Sequence, residues 1–256
     1  MGILPINTTA EASSLKLSII IPVYNEIDTL AEIIRRVRAV EVQVPVGFEN
    51  RRQLILEKEI VIIDDGSTDG SREIIQAEAE KGDLQTFFHD HNQGKGAAVR
   101  TGFKEASGDI LIIQDADLEY DPREYGILVQ PILEEKTKVV YGSRFRGGPT
   151  KTMFFTHMIG NKFLTLVTNL LYDTIITDME TCYKCFHSET IQDIPLNARG
   201  FEFEPEITAK LLKRGYRIYE VPISYNGREF NEGKKIHPVK DGLKALWALM
   251  KYRFID

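Results

Sequence analysis

The chain has 256 residues, with 32 Lys and Arg against 38 Asp and Glu, a formal net charge of −6 at pH 7. Its 43% hydrophobic and 27% charged content supports a sizeable core and excludes a disordered chain. The acidic balance argues against a nucleic-acid binder, two cysteines exclude a disulfide scaffold, and no apolar run reaches the roughly 18 to 20 residues of a membrane span.

Residues 1–15 are small and polar and read as a tail without a signal-peptide pattern. Leu17-Ser-Ile-Ile-Ile-Pro-Val23 is a β-branched run, the pattern of a buried strand. A helix is predicted from about Asp28 to Arg38, with Asp28 or Thr29 as its cap. Residues 41–57 read as an irregular surface excursion, with Pro45 and Gly47 among charged side chains. Ile60–Ile63 is a second strand, followed by Asp64-Asp-Gly-Ser-Thr-Asp-Gly70 and a helix to about Lys81. A weaker strand spans Leu84–Phe88, and Gly94-Lys-Gly96 opens a helix to about Ala106. Ile110–Ile113 is a fourth strand, running into Gln114-Asp-Ala-Asp117, and Val139–Tyr141 a fifth.

Beyond this point the pattern is less regular. Residues 151–176 are apolar and partly helical with interleaved Thr, Asn and Lys; Arg217–Val221 reads as a strand and Val239–Arg253 as a closing helix. Strands alternating with helices predict an α/β fold with a mostly parallel sheet. Without repeats or linkers, one compact domain is expected over 16–230, with residues 231–256 forming a basic loop end and a C-terminal amphipathic helix. Ligands of such sheets bind at the carboxyl ends of the strands, so the segments 22–26, 64–69 and 115–117 should converge on one crevice.

Asp115-Ala-Asp117 follows an apolar strand. Two carboxylates at this spacing can share a hard divalent cation with phosphate oxygens, although D-x-D alone also describes a solvated acidic turn. Asp65 can accept hydrogen bonds from a base or ribose; Ser67 or Asp69 can instead cap the following helix. Gly94-Lys-Gly96 is neither a Walker motif nor a dinucleotide fingerprint, and Lys95 is read as near a phosphate or merely exposed. Cys182 and Cys185 have no second Cys/His pair at zinc-ligand spacing and read as structural thiols of a reducing compartment.

Taken together, Ile19-Ile-Ile-Pro-Val-Tyr-Asn-Glu26, Val61-Ile-Ile-Asp-Asp-Gly-Ser-Thr-Asp69, Asn92-Gln-Gly-Lys-Gly-Ala-Ala98 and Asp115-Ala-Asp-Leu118 resemble the family 2 glycosyltransferases, in their order and spacing. The resemblance covers residues 17 to about 230 and implies a GT-A fold and a nucleotide-sugar donor. Tyr141-Gly-Ser-Arg144, Thr177-Asp178, Gly200-Phe-Glu-Phe-Glu204, Val221-Pro-Ile and Arg228-Glu-Phe-Asn-Glu-Gly-Lys234 look most like the dolichyl-phosphate mannose synthases and their bacterial polyprenyl-phosphate relatives.

By that resemblance, Pro22, Tyr24, Glu26, Ile63 and Asp65 hold the nucleoside, and Asp115, Ala116 and Asp117 meet the diphosphate. Mg²⁺ or Mn²⁺ sits on Asp115, Asp117 and Glu119, the last standing where these synthases usually carry Gln. Arg228 and Lys234 bind donor phosphates, and Ser143, Arg144 and Arg228 the acceptor phosphate. Asp117, Arg144, Arg228 and Lys234 are the expected catalytic residues. The implied reaction moves a hexose, from GDP-mannose or UDP-glucose, to a polyprenyl phosphate with inversion.

A hydroxyl acceptor would need a carboxylate base, for which Asp178 and Glu180 are the candidates, each equally readable as a cap or ion pair. The alternatives are a soluble transferase acting on a saccharide hydroxyl and a non-catalytic nucleotide-sugar-binding subunit. Two apolar stripes, Met153 to Tyr172 and Leu243 to Phe254, read either as sheet-packing faces or as interfacial helices. Residues 226–256 hold seven Lys/Arg and four Asp/Glu, suited to an anionic lipid surface. The expected setting is cytoplasmic and peripheral to a membrane, with a small membrane partner subunit possible.

Overall fold

A computed structural model of the chain describes residues 15–47, 52–151, 154–228 and 238–255. The β-branched run at the start forms β1 (Lys16–Val23), in which residues 17–21 are all buried. Burial on both faces is what a continuous apolar strand of a parallel sheet requires. Helix α1 (Leu30–Ala39) follows, its Leu30, Ile33, Ile34 and Val37 forming one inward stripe.

Within 41–57, where an irregular excursion is expected, the described residues form strands. β2 (Gln43–Val46) and β3 (Arg52–Ile55) pair antiparallel as a small hairpin arm, and β4 (Glu57–Asp64) starts directly after it. Pro45 is tolerated because a two-stranded arm has free edges.

Next come α2 (Ser71–Ala79), β5 (Leu84–Phe88), α3 (Lys95–Glu105), β6 (Ile110–Ile113), a 3-10 turn at Pro122–Glu124, α4 (Tyr125–Leu133) and β7 (Val139–Ser143). The chain continues through β8 (Thr150–Lys151), α5 (Phe155–Tyr172), β9 (Lys184–His187), α6 (Ser188–Gln192), α7 (Phe203–Lys213), β10 (Ile218–Pro222), β11 (Tyr225–Asn226) and α8 (Pro238–Phe254).

The central sheet has seven strands in the order β10-β7-β9-β6-β1-β4-β5. Every pairing is parallel except those of β9, which is antiparallel to both β6 and β7. That single reversal positions the site. The carboxyl ends of β1, β4, β6 and β7 share one edge of the sheet. Because β9 runs the other way, its beginning lies at that edge, and residues 178–182 join the crevice.

The main core spans both faces of the sheet, from Leu17 and Ile19 to Phe186 and Phe203. A second, smaller core joins α5 to α8 through Leu164, Ile176, Met179, Ala245 and Leu249. Among the described residues, no helix is long and apolar enough to cross a membrane.

Helix α5 turns its faces the wrong way round for a soluble helix. Its polar Asn161, Thr165 and Thr168 are buried, whereas Phe155 is 68% exposed, Leu170 75%, and Ile159, Phe163 and Leu166 are exposed as well. The inward stripe is polar because it reaches Asp178: Asn161 Nδ2 donates to Asp178 Oδ1 at 2.8 Å. On α8, Leu243, Trp247 (69%), Met250 and Phe254 (77%) likewise face out. The two stripes are thus split: Leu164, Val167, Leu171, Tyr172, Leu246 and Leu249 pack in the α5–α8 core, and the others face outward. Of the first stripe, Met153 lies outside the described residues.

Candidate active site

A cavity of about 490 Å³ opens at the shared strand edge, within the usual range for a ligand site. Pro22, Tyr24, Glu26, Asp65, Lys95, Asp115, Ala116, Asp117 and Glu119 line it. Arg144, Glu180, Cys182, Glu204 and Arg228 line it too, together with Asn161 and Leu164 of α5 and Ala245 of α8. The sequence segments 22–26, 64–69 and 115–117 are thus brought together as predicted. Ile63 is not among the lining residues. It is wholly buried in the core, and its Cδ1 would lie 2.9 Å from a Cβ built on Gly102 of α3. A strand residue whose side chain points to the sheet face cannot also point over its edge.

The Asp64–Gly70 segment fastens loops. Asp64 is fully buried; it accepts from the Ser67 amide at 3.1 Å and from Arg72 Nε at 2.6 Å. Asp69 accepts from the Ser71 and Ile27 amides, and Ser67 and Ser71 accept from the Asn25 and Glu26 amides. Asp65 reaches the cavity wall, but its oxygens already accept from the Gln93 and Gly94 amides at 3.0 and 2.7 Å. His89 Nδ1 stands 2.7 Å from the same carboxylate. Asp65 thereby ties the end of β4 to the start of α3.

The Asp115–Glu119 segment is arranged differently, since its counter-charges come from far along the chain. Lys95, at the first turn of α3, places Nζ 2.8 Å from Asp115 and 3.1 Å from Glu204. Burial would lower the Lys95 ammonium, but Asp115, Cys182 and Glu204 hold it well above its usual value. Arg228 Nη2 lies 2.8 Å from Asp117 and Nη1 3.2 Å from Glu26. Glu119 accepts from the Arg228 amide at 3.0 Å and from the Tyr225 hydroxyl at 2.8 Å. Burial, with Asp115 and Glu119 alongside, pushes the Asp117 carboxyl up to about 7. Leu118 sits at φ 63°, a left-handed conformation costly for a γ-branched side chain. The Glu119 amide, donating to Asp117 Oδ1 at 3.1 Å, helps to hold the loop in place.

Among the described residues, no three His, Cys, Asp or Glu gather closely enough to hold a metal unaided. The donor set nonetheless fits a hard divalent cation. Asp115, Asp117 and Glu119 offer only carboxylate oxygens, and the proton that Asp117 retains up to about 7 marks excess negative charge. Mg²⁺ is characteristically bound by one or two carboxylates, with phosphate oxygens and water filling the shell.

Arg144 and Asp178 form a buried fork-to-fork pair, Nε and Nη2 each 2.7 Å from a carboxylate oxygen. Burial alone would raise Asp178, but Arg144 holds it below the usual carboxylate value. Asp178 is therefore the ion-pair half of its two sequence readings. The Arg144 guanidinium also lies over the Tyr225 ring, 5.1 Å from its centroid. Ser143 is fully buried, its Oγ 2.6 Å from Thr177 Oγ1.

Glu180 differs from Asp178: its Oε1 is buried and has no hydrogen-bond partner among the described residues. Burial, and then Glu204, pushes its carboxyl up to about 8. Cys182 lines the cavity and Cys185 lies in β9; both are buried free thiols. Lys234 lies outside the described residues.

Two cavity residues, Lys95 and Glu204, received no firm role from sequence. The available signals were Lys95 between two glycines and Glu204 at the end of the Gly200-Phe-Glu-Phe-Glu204 run. Gly94 has φ 96°, and a Cβ there would meet the Arg199 carbonyl at 2.3 Å. Only glycine allows the α3 start to close on the 198–204 segment, which brings Lys95 against Glu204.

The crevice at the strand carboxyl ends thus carries an acidic pair on which cationic side chains from distant segments converge. Residues 18–193 match glycosyl transferase family 2, and the chain belongs to that family. It is 30% identical to the dolichol-phosphate mannosyltransferase of Pyrococcus furiosus over 243 residues, 93% of this chain and 64% of that protein. The chain thus spans just under two thirds of that relative. It is 26% identical to the undecaprenyl-phosphate mannosyltransferase of Micrococcus luteus, covering 91% of this chain and 97% of that one. Glucosyl-3-phosphoglycerate synthase of Mycobacterium tuberculosis, solved with uridine diphosphate, superposes with a TM-score of 0.70 at 17% identity, covering 96% and 82% of the two chains. The same enzyme, solved with Mn²⁺, uridine diphosphate and phosphoglyceric acid, gives 0.69 at 19% identity, covering 96% and 80%. The fold is GT-A, a mostly parallel sheet flanked by helices, as expected from the sequence.

Proposed function

We propose that this chain transfers a hexose from a nucleotide diphosphate sugar to a polyprenyl phosphate at a membrane surface, inverting the anomeric centre. One observation carries the reading. The cavity is lined by Asp115 and Asp117 and also by residues of α5 and α8, helices whose outward faces are apolar. The helices that close on the charged cavity thus also carry an exposed apolar surface.

Asp115, Asp117 and Glu119 would hold the divalent cation, Mg²⁺ or Mn²⁺, which when bound offsets the charge of the departing diphosphate. Pro22, Tyr24, Glu26 and Asp65 flank the nucleoside end. Arg228, already within the acidic cluster, has the reach to follow the phosphates and stabilise developing charge. Arg144 faces the acceptor phosphate, its fork pre-set by Asp178. A lipid phosphate is anionic near neutral pH and needs little base assistance. That suits a wall on which Asp178 is committed to Arg144.

Exposed apolar stripes with Trp247 near Lys244, Lys251 and Arg253 match the pattern of helices that lie in a membrane interface. We place the protein peripherally, on the cytoplasmic face, with or without a small membrane partner subunit.

The test offers labelled UDP-glucose or GDP-mannose with Mn²⁺, with and without a polyprenyl phosphate. Label entering the organic phase only when the lipid phosphate is present is the expected result. Transfer to a water-soluble saccharide instead would overturn the lipid acceptor.

A further inference from the structure

Segment 225–228 comes back to the Asp115–Glu119 loop from far along the chain. Its strand β11 is two residues long and pairs with β8, Tyr225 against Thr150. The Tyr225 amide donates to the Pro149 carbonyl and the Asn226 amide to the Glu119 carbonyl, each at 2.9 Å. These bonds fix the backbone on both sides of one side chain. The Tyr225 side chain itself is buried, at 4% exposure of the residue, and lies beside the Tyr120 ring, centroids 5.6 Å apart.

The two ends of Tyr225 meet different partners. Its hydroxyl donates to Glu119 Oε2 at 2.8 Å. Burial, with Glu119 alongside, raises the phenol above its usual value, so the hydroxyl keeps its proton and acts as a donor. Its ring face carries the Arg144 guanidinium, 5.1 Å from the centroid, within the range of a cation–π contact. The same guanidinium is gripped along one edge by Asp178. A guanidinium has five donors, of which that grip uses two.

We infer that Tyr225 is a positioning residue that sets Glu119 and Arg144 relative to one another, through its hydroxyl and its ring respectively. The inference rests on the function proposed above, in which Glu119 faces the donor's cation and Arg144 the acceptor phosphate. A carboxylate has about four lone-pair sites. The Tyr225 hydroxyl and the Arg228 amide at 3.0 Å occupy one on each oxygen, which fixes the direction in which the others point. Hydrogen-bonding partners of this kind hold a metal-ligating carboxylate in place. The ring holds Arg144 from its face while Asp178 holds its edge, leaving the guanidinium little freedom to tilt. Phenol and ring are one rigid body, so the two charged groups keep a constant separation.

The two contacts can be removed one at a time. Affinity for UDP and GDP is measured calorimetrically in Mn²⁺, and the KM for a polyprenyl phosphate from transfer kinetics. Tyr225→Phe keeps the ring and loses the hydroxyl. It should weaken Mn²⁺-supported diphosphate binding roughly tenfold and leave the KM for the lipid phosphate unchanged. Tyr225→Leu loses both contacts, and should add a roughly threefold rise in that KM. Tyr225→Met serves the same arm if Tyr225→Leu does not fold. Diphosphate binding by Tyr225→Phe equal to wild type overturns the inference. So does an equal loss on the donor and acceptor sides in Tyr225→Phe, the mark of a general loosening. A lipid-phosphate KM that is the same in the Leu or Met variant as in Tyr225→Phe overturns it too, since the ring would then do nothing for Arg144. Failure of the underlying function shows earlier and elsewhere. Wild type that binds neither diphosphate, or transfers nothing to the lipid phosphate, overturns that function and the inference with it.

Discussion

Two acidic segments at neighbouring strand ends, Asp64–Asp69 and Asp115–Glu119, have similar composition and opposite construction. The first finds its partners close to home or in adjoining loops: the Ser67 and Ser71 amides, Arg72, and the turn at 25–27. Its charge is absorbed in holding the crevice together. The second is balanced by Lys95 and by Arg228, the latter 111 residues from Asp117. Burial and its own neighbours still hold Asp117 up to about 7. Acidic density alone does not mark a site; what matters is whether the chain supplies enough counter-charge nearby.

The contrast can be broken by experiment. The largest expected effect is on turnover. Asp117→Ala should reduce sugar transfer by roughly 100- to 1,000-fold, about the scale of removing one electrostatic stabiliser. Its melting temperature should hold or rise, because a crowded buried carboxyl is gone. A clear fall in melting temperature would make this segment a fastening like the other.

Asp64→Asn should do the reverse. It removes a buried charge partner of half-exposed Arg72, and we expect a loss of about 2 kcal/mol. That corresponds to roughly 4–8 °C in melting temperature for a domain of this size, with near-normal turnover in the folded fraction. Strong loss of turnover without loss of stability would reassign Asp64 to the site.

A change remote from both segments sharpens the comparison. Leu170→Glu with Trp247→Glu should weaken binding to anionic vesicles by roughly 10- to 100-fold. The affinity for nucleotide diphosphate should be unaffected. Equal vesicle binding by the double variant would remove α5 and α8 from the membrane contact.

The last comparison is of pH dependence. Glu180 binds its proton more tightly folded than unfolded, so its contribution to stability is present at low pH. That contribution is lost as pH rises from the ordinary carboxylate range through about 8. Glu180→Gln should therefore gain in melting temperature over wild type as pH rises from 5 to 9. A constant difference across that range would show that Glu180 ionises normally.

The seven strands of the central sheet were legible in unequal measure, and the reasons are physical. β1, β4 and β6 are covered on both faces and read as plain apolar runs. β9 has Lys184 and His187 at its ends, with Lys184 buried and donating to the Met179 and Thr181 carbonyls. No apolar pattern announces such a strand. Helix α7 was missed for a similar reason. Its Glu206 and Lys210 are both fully buried and paired at 2.8 Å, which removes the contrast between a polar and an apolar face. Of the cavity, the D-x-D wall could be read from sequence because consecutive residues supply it. The Lys95, Glu180 and Glu204 wall could not, because it is assembled by the reversal of β9 and the closure at Gly94.

The placement of β10 sets how short a working fragment can be. Residues 18–193 carry the family match, yet β10 at 218–222 completes the sheet edge beside β7. The Arg199 carbonyl seats Gly94, and the Ala198 carbonyl accepts from Arg100. Cutting at 193 would strip one flank of β7 and unseat the start of α3, which carries the glycine-lysine turn. The matched segment is a unit of descent, whereas the unit of folding extends past Pro222.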